Sequence, residues 1–163
     1  MVKLSTKKVT KLTSHKTYKT GKNDMGLVYA EIELTNGGDA YMFRQGMIEE
    51  ADIKQVMVTA LVDSGAYMLT INDDVKNQLN LPLIEKQLAT LADETQVEID
   101  VVGPVEVRFE NRRTTCNAVI LPNASEVLLG AIPMEDMDVL IHPREEKLVV
   151  NPKHPYIANK YLK

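Results

Sequence analysis

The chain has 163 residues, enough for one domain with a real core. No apolar run reaches the roughly 18 residues of a membrane span, and the basic start lacks the apolar stretch of a secretory signal. The single cysteine, Cys116, excludes an internal disulfide and suits a reducing cytoplasm. The net charge of -4 hides an asymmetry. Residues 1–24 hold seven Lys against one Asp, whereas the rest holds 12 basic and 22 acidic side chains. An acidic body argues against nucleic acid as its main partner. The basic segment reads as a solvated, disordered tail, with contact to RNA, membrane headgroups or another chain as the alternative.

Residues 1–24 are rich in Lys, Thr and Ser, too polar to bury a face, and Met25 is a candidate functional start. A single domain is expected over 25–155, with a short tail at 156–163. Leu27–Thr35 alternates apolar and polar residues and predicts a strand. Asn36-Gly37-Gly38-Asp39 predicts a turn. Val56–Val62 is nearly all apolar, as for a strand buried on both faces. Met68–Ile71 predicts a short strand. Asn72-Asp73-Asp74 supplies an N-cap for a short helix with Val75 and Leu79 on one face, stopped at Asn80-Leu81-Pro82. Gln87–Ala92 and Gln96–Val102 predict a hairpin with a polar tip at Asp93-Glu94-Thr95. Val105–Phe109 and Thr114–Leu121 predict a second around Asn111-Arg112-Arg113. Val127-Leu128-Leu129-Gly130 follows, then a helix over Pro133–Asp138 with Pro at its first position. Val139–Ile141 and Lys147–Val150 predict a last hairpin, and the chain trails off after Pro152. Many short strands with one or two short helices read as an all-β fold, a small closed barrel.

One run interrupts this pattern with chemistry. Ala60-Leu61-Val62-Asp63-Ser64-Gly65-Ala66 sets a carboxylate directly after a buried strand, followed by a hydroxyl and a glycine. A rigid strand end and a tight turn hold one Asp in place. Gly65 allows close backbone approach and Ser64 can lock the loop by hydrogen bonding. A chain of this length holds Asp-[Ser/Thr]-Gly by chance on the order of 5–10% of the time at average composition, so its surroundings must decide. A plain Asp/Gly turn is the competing reading.

The surroundings resemble the retropepsins, the retroviral-type aspartic proteases, and more closely their bacterial soluble relatives. Leu61 to Ala66 match the apolar strand and catalytic run. Met68–Ile71 and Asp73–Leu79 match the next strand and helix. Ala92, Asp93, Glu94 and Thr95 sit where the family's flap lies. Leu128, Leu129 and Gly130 match the closing strand beneath the site, followed by Ile132 to Glu135 as the closing helix. The resemblance covers roughly 26–152. It implies a retropepsin-like barrel in a two-fold homodimer and an aspartic endopeptidase acting on peptide or protein substrates without a cofactor. Asp63 is then the catalytic carboxylate, with Ser64, Gly65 and Ala66 supporting its loop. Two departures stand out: Ser64 replaces the commoner Thr, and Asp93-Glu94 replaces a glycine-rich flap tip. The rival reading is the same fold used as a weakly active or inactive dimerisation or protein-binding module.

The remaining candidates have plainer readings. His15, His142 and His154 are not at metal-ligand spacing, so no metal is expected. Cys116 reads as a buried structural thiol. Asp73 and Asp74 read as helix capping, and Glu135, Asp136 and Asp138 as a solvated helix face.

Overall fold

The computed structural model describes residues 26–162 apart from 122 and 124. The basic segment 1–24 and the candidate start at Met25 lie outside the described residues. In chain order the elements are β1 (Val28–Asn36), α1 (Gly37–Arg44), β2 (Gln55–Val62), β3 (Leu69–Ile71) and α2 (Asp73–Leu79). They continue as β4 (Leu83–Thr90), β5 (Gln96–Phe109), β6 (Arg112–Ile120), β7 (Val127–Leu129), α3 (Ala131–Met137), β8 (Val139–His142) and β9 (Lys147–Val150).

Six strands close on themselves. The order β1-β2-β7-β3-β6-β5 returns to β1 through the antiparallel pairing of Glu33–Asn36 with Val105–Arg108. The expected small closed β-barrel is therefore what forms. β4 hangs on β5 outside the ring, and β8 and β9 make a separate two-stranded sheet. In β1 the alternation read from the sequence points Val28, Ala30, Ile32 and Leu34 inward. Ile32, Leu34, Val58, Leu69, Ile71, Val75, Leu79, Val102, Val105, Val107 and Leu129 are fully buried. Each contributes roughly 1.5–3 kcal/mol by leaving water, so barrel closure is the main source of stability.

Several elements differ from their sequence-based expectations. Asn36-Gly37-Gly38-Asp39 opens helix α1 instead of a turn. Asn36 is its N-cap, with Oδ1 accepting from the Asp39 amide at 3.0 Å and Nδ2 donating to the Leu79 carbonyl at 2.8 Å. Turn and cap favour the same residue types, so only the packing decides between them. Gly37 lies against Pro104 so closely that a Cβ would meet its Cγ at 3.0 Å. The α-helices thus number three among the described residues, with one 3-10 turn at Glu50–Asp52. β2 is buried on both faces only in part, since Met57 is 40% exposed. β4 begins at Leu83, ahead of the expected Gln87, and all but Ala89 of it is exposed, which removes any alternation. The two strands expected over 96–109 are one, β5, bent at Gly103-Pro104 where its register with β6 shifts. The turn before β6 is Glu110-Asn111, and Arg112 and Arg113 already belong to the strand.

Candidate active site

β2 and β7 run parallel, Ala60 to Val62 against Val127 to Leu129. The Asp63 amide adds one more rung by donating to the Leu129 carbonyl at 2.9 Å. Asp63 therefore leaves the barrel at a rigid strand end, half-buried, with its side chain past the last ladder pair. The loop then folds back on it. The Ala66 amide donates to the Asp63 carbonyl at 3.1 Å, and the Gly65 amide donates to Asp63 Oδ1 at 2.9 Å. A Cβ on Gly65 would sit 3.2 Å from that same Oδ1. No other hydrogen bond to the carboxylate occurs among the described residues, so Oδ2 is uncommitted. Ser64 is exposed and its hydroxyl has no partner among the described residues.

The far side of the loop is held by α3. Its first two amides, those of Ala131 and Ile132, donate to the carbonyls of Ala66 at 2.7 Å and Tyr67 at 3.0 Å. A helix start leaves its first amides without partners, and here the loop supplies the acceptors. This is why α3 starts at Ala131, two residues before the expected Pro133. Pro133 falls in the first turn, where its missing N–H costs nothing. Gly130 is the N-cap between strand and helix. A Cβ there would lie 2.4 Å from the Met68 carbonyl oxygen and 2.6 Å from the Tyr67 carbonyl carbon. Only glycine permits this approach of two backbones. The structure thus brings Asp63, Gly65 and Ala66 together with Leu129 and Gly130. Leu128 faces Thr70 of β3 one residue earlier. The anchoring amides of Ala131 and Ile132 escape side-chain reasoning; Gly130 at the strand–helix junction is their one signal.

The flap candidates occupy the tip of the β4–β5 hairpin, and among the described residues no hydrogen bond joins them to the Asp63 loop. The tip is closed by Leu91 N–H to Thr95 O at 2.8 Å and Glu94 N–H to Leu91 O at 2.9 Å. Asp93 Oδ1 accepts from the Thr95 hydroxyl at 2.6 Å and the Thr95 amide at 3.0 Å. Those bonds, the hydroxyl's foremost, hold the Asp93 carboxyl below the usual carboxylate range. Glu94 has φ +68°, the left-handed conformation that a glycine would adopt freely. The Asp93–Thr95 bonds stiffen a tip that lacks glycine.

The acidic positions after Gly130 are not all solvated. Glu135 is exposed, but the Asp136 carboxylate accepts from the Thr114 hydroxyl at 2.5 Å and Lys160 Nζ at 2.8 Å. The Asp138 side chain is only 11% exposed. It terminates α3 in the left-handed conformation. Its carboxylate accepts from Asn151 Nδ2 at 2.9 Å and the Asn159 amide at 3.0 Å, and lies 2.7 Å from His154 Nδ1. The Asn159 amide, then Asn151 and His154, bring its carboxyl down to about 2 against the opposing effect of burial. The contacts are long-range, which is why Asp138 reads as surface in the sequence. Cys116 is half-buried, and burial, with the Asp136 charge second, pushes its thiol up to about 11. That thiol stays protonated near neutral pH and is a poor nucleophile.

An aspartyl protease family profile, of the retropepsin-like clan, matches residues 49–146. The chain belongs to this aspartyl protease family. The match spans the Asp63 loop, the β4–β5 hairpin, Leu128-Leu129-Gly130 and α3, so the elements joined around Asp63 all fall inside it. β1, α1, β9 and the segment after it lie outside it. No curated protein matches the chain. Among the described residues no helix is long and apolar enough to cross a membrane.

Proposed function

We propose that this aspartyl protease is an endopeptidase in which two Asp63 carboxylates, one from each subunit of a homodimer, activate one water. The observation that supports it most is the state of Asp63: fixed at a strand end, half-exposed, with Oδ2 uncommitted. The chain holds one Asp-[Ser/Thr]-Gly run, so a second carboxylate has to come from a second copy.

Two carboxylates facing one water share a proton, because both cannot be ionised at close range. The ionised Asp63 takes a proton from the water, whose oxygen attacks the scissile carbonyl carbon. The protonated Asp63 of the partner subunit gives its proton to the carbonyl oxygen. Return of a proton to the amide nitrogen lets the C–N bond break, and the dyad is restored. Ser64 supports the reading in a second way. Its exposed, unengaged hydroxyl is available to the partner's loop, where it would fix both Asp63 side chains. Substrate would lie extended beneath the β4–β5 hairpin, pairing through its backbone as in strand addition. Ala92, Asp93, Glu94 and Thr95 are the flap in this scheme. A cytoplasmic location accords with the lone, protonated Cys116 thiol.

The test is Asp63→Asn. It keeps the shape of the loop and removes the general base. Peptide cleavage should fall to background, a loss of at least about 1000-fold, while thermal stability and oligomeric state stay unchanged. Undiminished turnover of a peptide library by the variant would refute the assignment.

A further inference from the structure

We infer that a groove on the outer wall of the barrel, between α1 and the strands β1, β5 and β6, binds a small apolar zwitterion, an α-amino acid or a short peptide with both ends free. The groove is remote from the Asp63 loop. Gln55, which lines it, and Asp63 bracket β2 from opposite ends, about 25 Å apart along the strand.

One wall is a row of charges. Glu33, Arg108 and Arg113 are register partners across β1, β5 and β6. Their chain neighbours Leu34, Val107, Arg112 and Thr114 are buried, so strand alternation turns all three outward. Two arginines directly opposite one another repel and destabilise a sheet unless an anion sits between them. Among the described residues neither guanidinium has a hydrogen bond or an ion pair. Glu33 does not serve them: the Gln55 side-chain amide donates to its Oε2 at 3.4 Å, and it forms no ion pair among the described residues. Glu106 is taken by Arg44, whose guanidinium donates to both of its oxygens at 2.7 and 3.0 Å. Glu50 adds a second carboxylate to the lining, also without a side-chain bond among the described residues. Two cations and two anions thus share one groove of about 280 Å³ without pairing.

The other wall is apolar and set in advance. α1 contributes Ala40 and Phe43, the latter 40% exposed, and Ile53 completes it. α1 is fixed by its Asn36 cap, by Gly37 against Pro104 and by the Arg44–Glu106 bridge. The Lys54 amide donates to the Asp39 carboxylate at 3.1 Å and ties down the segment that carries Ile53. A wall already in place lowers the ordering cost of binding. An apolar α-amino acid matches all three features. Its carboxylate takes the two guanidiniums, whose planar fork suits two oxygens. Its ammonium takes Glu33 and Glu50, and its side chain lies on Phe43 and Ile53. A simple anion would leave both glutamates unserved, and a simple cation both arginines. The volume is below the roughly 300–1,000 Å³ of drug-sized ligand sites, which suits one or two residues and not an extended chain.

Two-dimensional amide NMR on the full chain, titrated with free leucine and with leucyl-leucine, tests this. The Phe43, Arg108 and Arg113 amides should shift and saturate, and the Gly65 amide should stay still. N-acetyl-leucine, which lacks the ammonium, and leucinamide, which lacks the carboxylate, should each bind at least about tenfold more weakly, as loss of a charge-assisted bond requires. Arg108→Gln with Arg113→Gln should abolish saturation, and Glu33→Gln should weaken leucine by about tenfold. Circular dichroism melts confirm that both variants fold, and the ligand series on the parent decides the matter without them. Tighter binding of leucyl-leucine than of leucine makes a short peptide the source, and the reverse makes it a free amino acid; both uphold the groove. No saturable shift up to about 10 mM of either probe overturns the site. So does equal binding of N-acetyl-leucine and leucinamide, or unchanged binding in both folded variants. The Asp63 assignment stands in each of these cases.

Discussion

Gly130 has no functional group, yet the geometry of Asp63 depends on it. The Asp63 loop is clamped between the end of β7 and the start of α3, and the clamp works because two backbones touch where a side chain would stand. Gly130→Ala would place a methyl 2.4 Å from the Met68 carbonyl oxygen, against backbone that cannot rotate away. Overpacking of this kind costs about 3 kcal/mol. For a chain of this size that lowers the melting temperature by roughly 6–12 °C, measurable by calorimetry. Activity should drop further than stability, since the displaced Tyr67 carbonyl moves the loop that carries Asp63. An alanine variant with parental melting and turnover would contradict the clamp. At this scale the sequence was informative. Asp63 stood out because an apolar strand stops at it, and Gly130 because it follows a second apolar strand. The amides that complete the clamp belong to Ala131 and Ile132, and a backbone bond leaves no mark on the residue that makes it.

The β4–β5 hairpin poses a different question, how a turn forms without glycine. Its tip uses Asp93 as an acceptor for Thr95 and accepts left-handed strain at Glu94, φ +68°. For an ordinary L-residue that conformation costs about 1–2 kcal/mol, more for a β-branched one. Glu94→Gly should therefore be nearly neutral, its relief of strain offset by the entropy of the unfolded chain. Glu94→Val should open the tip, seen as faster hydrogen exchange at the Leu91 and Glu94 amides. Equal exchange in the two variants would show that the tip conformation is not set by this residue. The hairpin was legible because Asp93-Glu94-Thr95 is polar between two β-rich runs. The start of β4 was not, because a strand exposed on both faces shows no period of two. A different reason hid α1. Asn36-Gly37-Gly38-Asp39 satisfies a turn and an N-cap alike, and the choice falls to Leu79 and Pro104, far along the chain.

On the scale of the whole molecule, the Asp63 loop and the C-terminal arm, residues 151–162, lie at opposite ends of one short helix. α3 caps the Asp63 loop with its first amides and, at its other end, presents Asp138 to the arm. The groups that meet at Asp138 come from residues 112, 151, 154 and 159, and no local pattern announces such a convergence. The overall barrel was readable from alternation; this hub was not. Its chemistry predicts a pH response. The folded Asp138 carboxyl sits at about 2, below the usual carboxylate range, chiefly through the Asn159 and Asn151 bonds. A depressed carboxyl adds stability at pH above its unfolded value and loses it as pH falls through its folded value. Protonation near pH 2 should thus release the arm from Asn151, His154 and Asn159. The groups facing Asp138 are Arg112 from β6 and His154 from the arm, with the Asp136–Lys160 pair close by. Two-dimensional amide NMR reads the event directly. The Asn159 backbone amide should titrate with a midpoint near 2, well below an exposed aspartate. In Asp138→Asn the same resonance should be flat over that range while the barrel amides are unchanged. A flat parental profile, or an unaltered one in the variant, would show that the arm is held by other contacts and that Asp138 is a bystander.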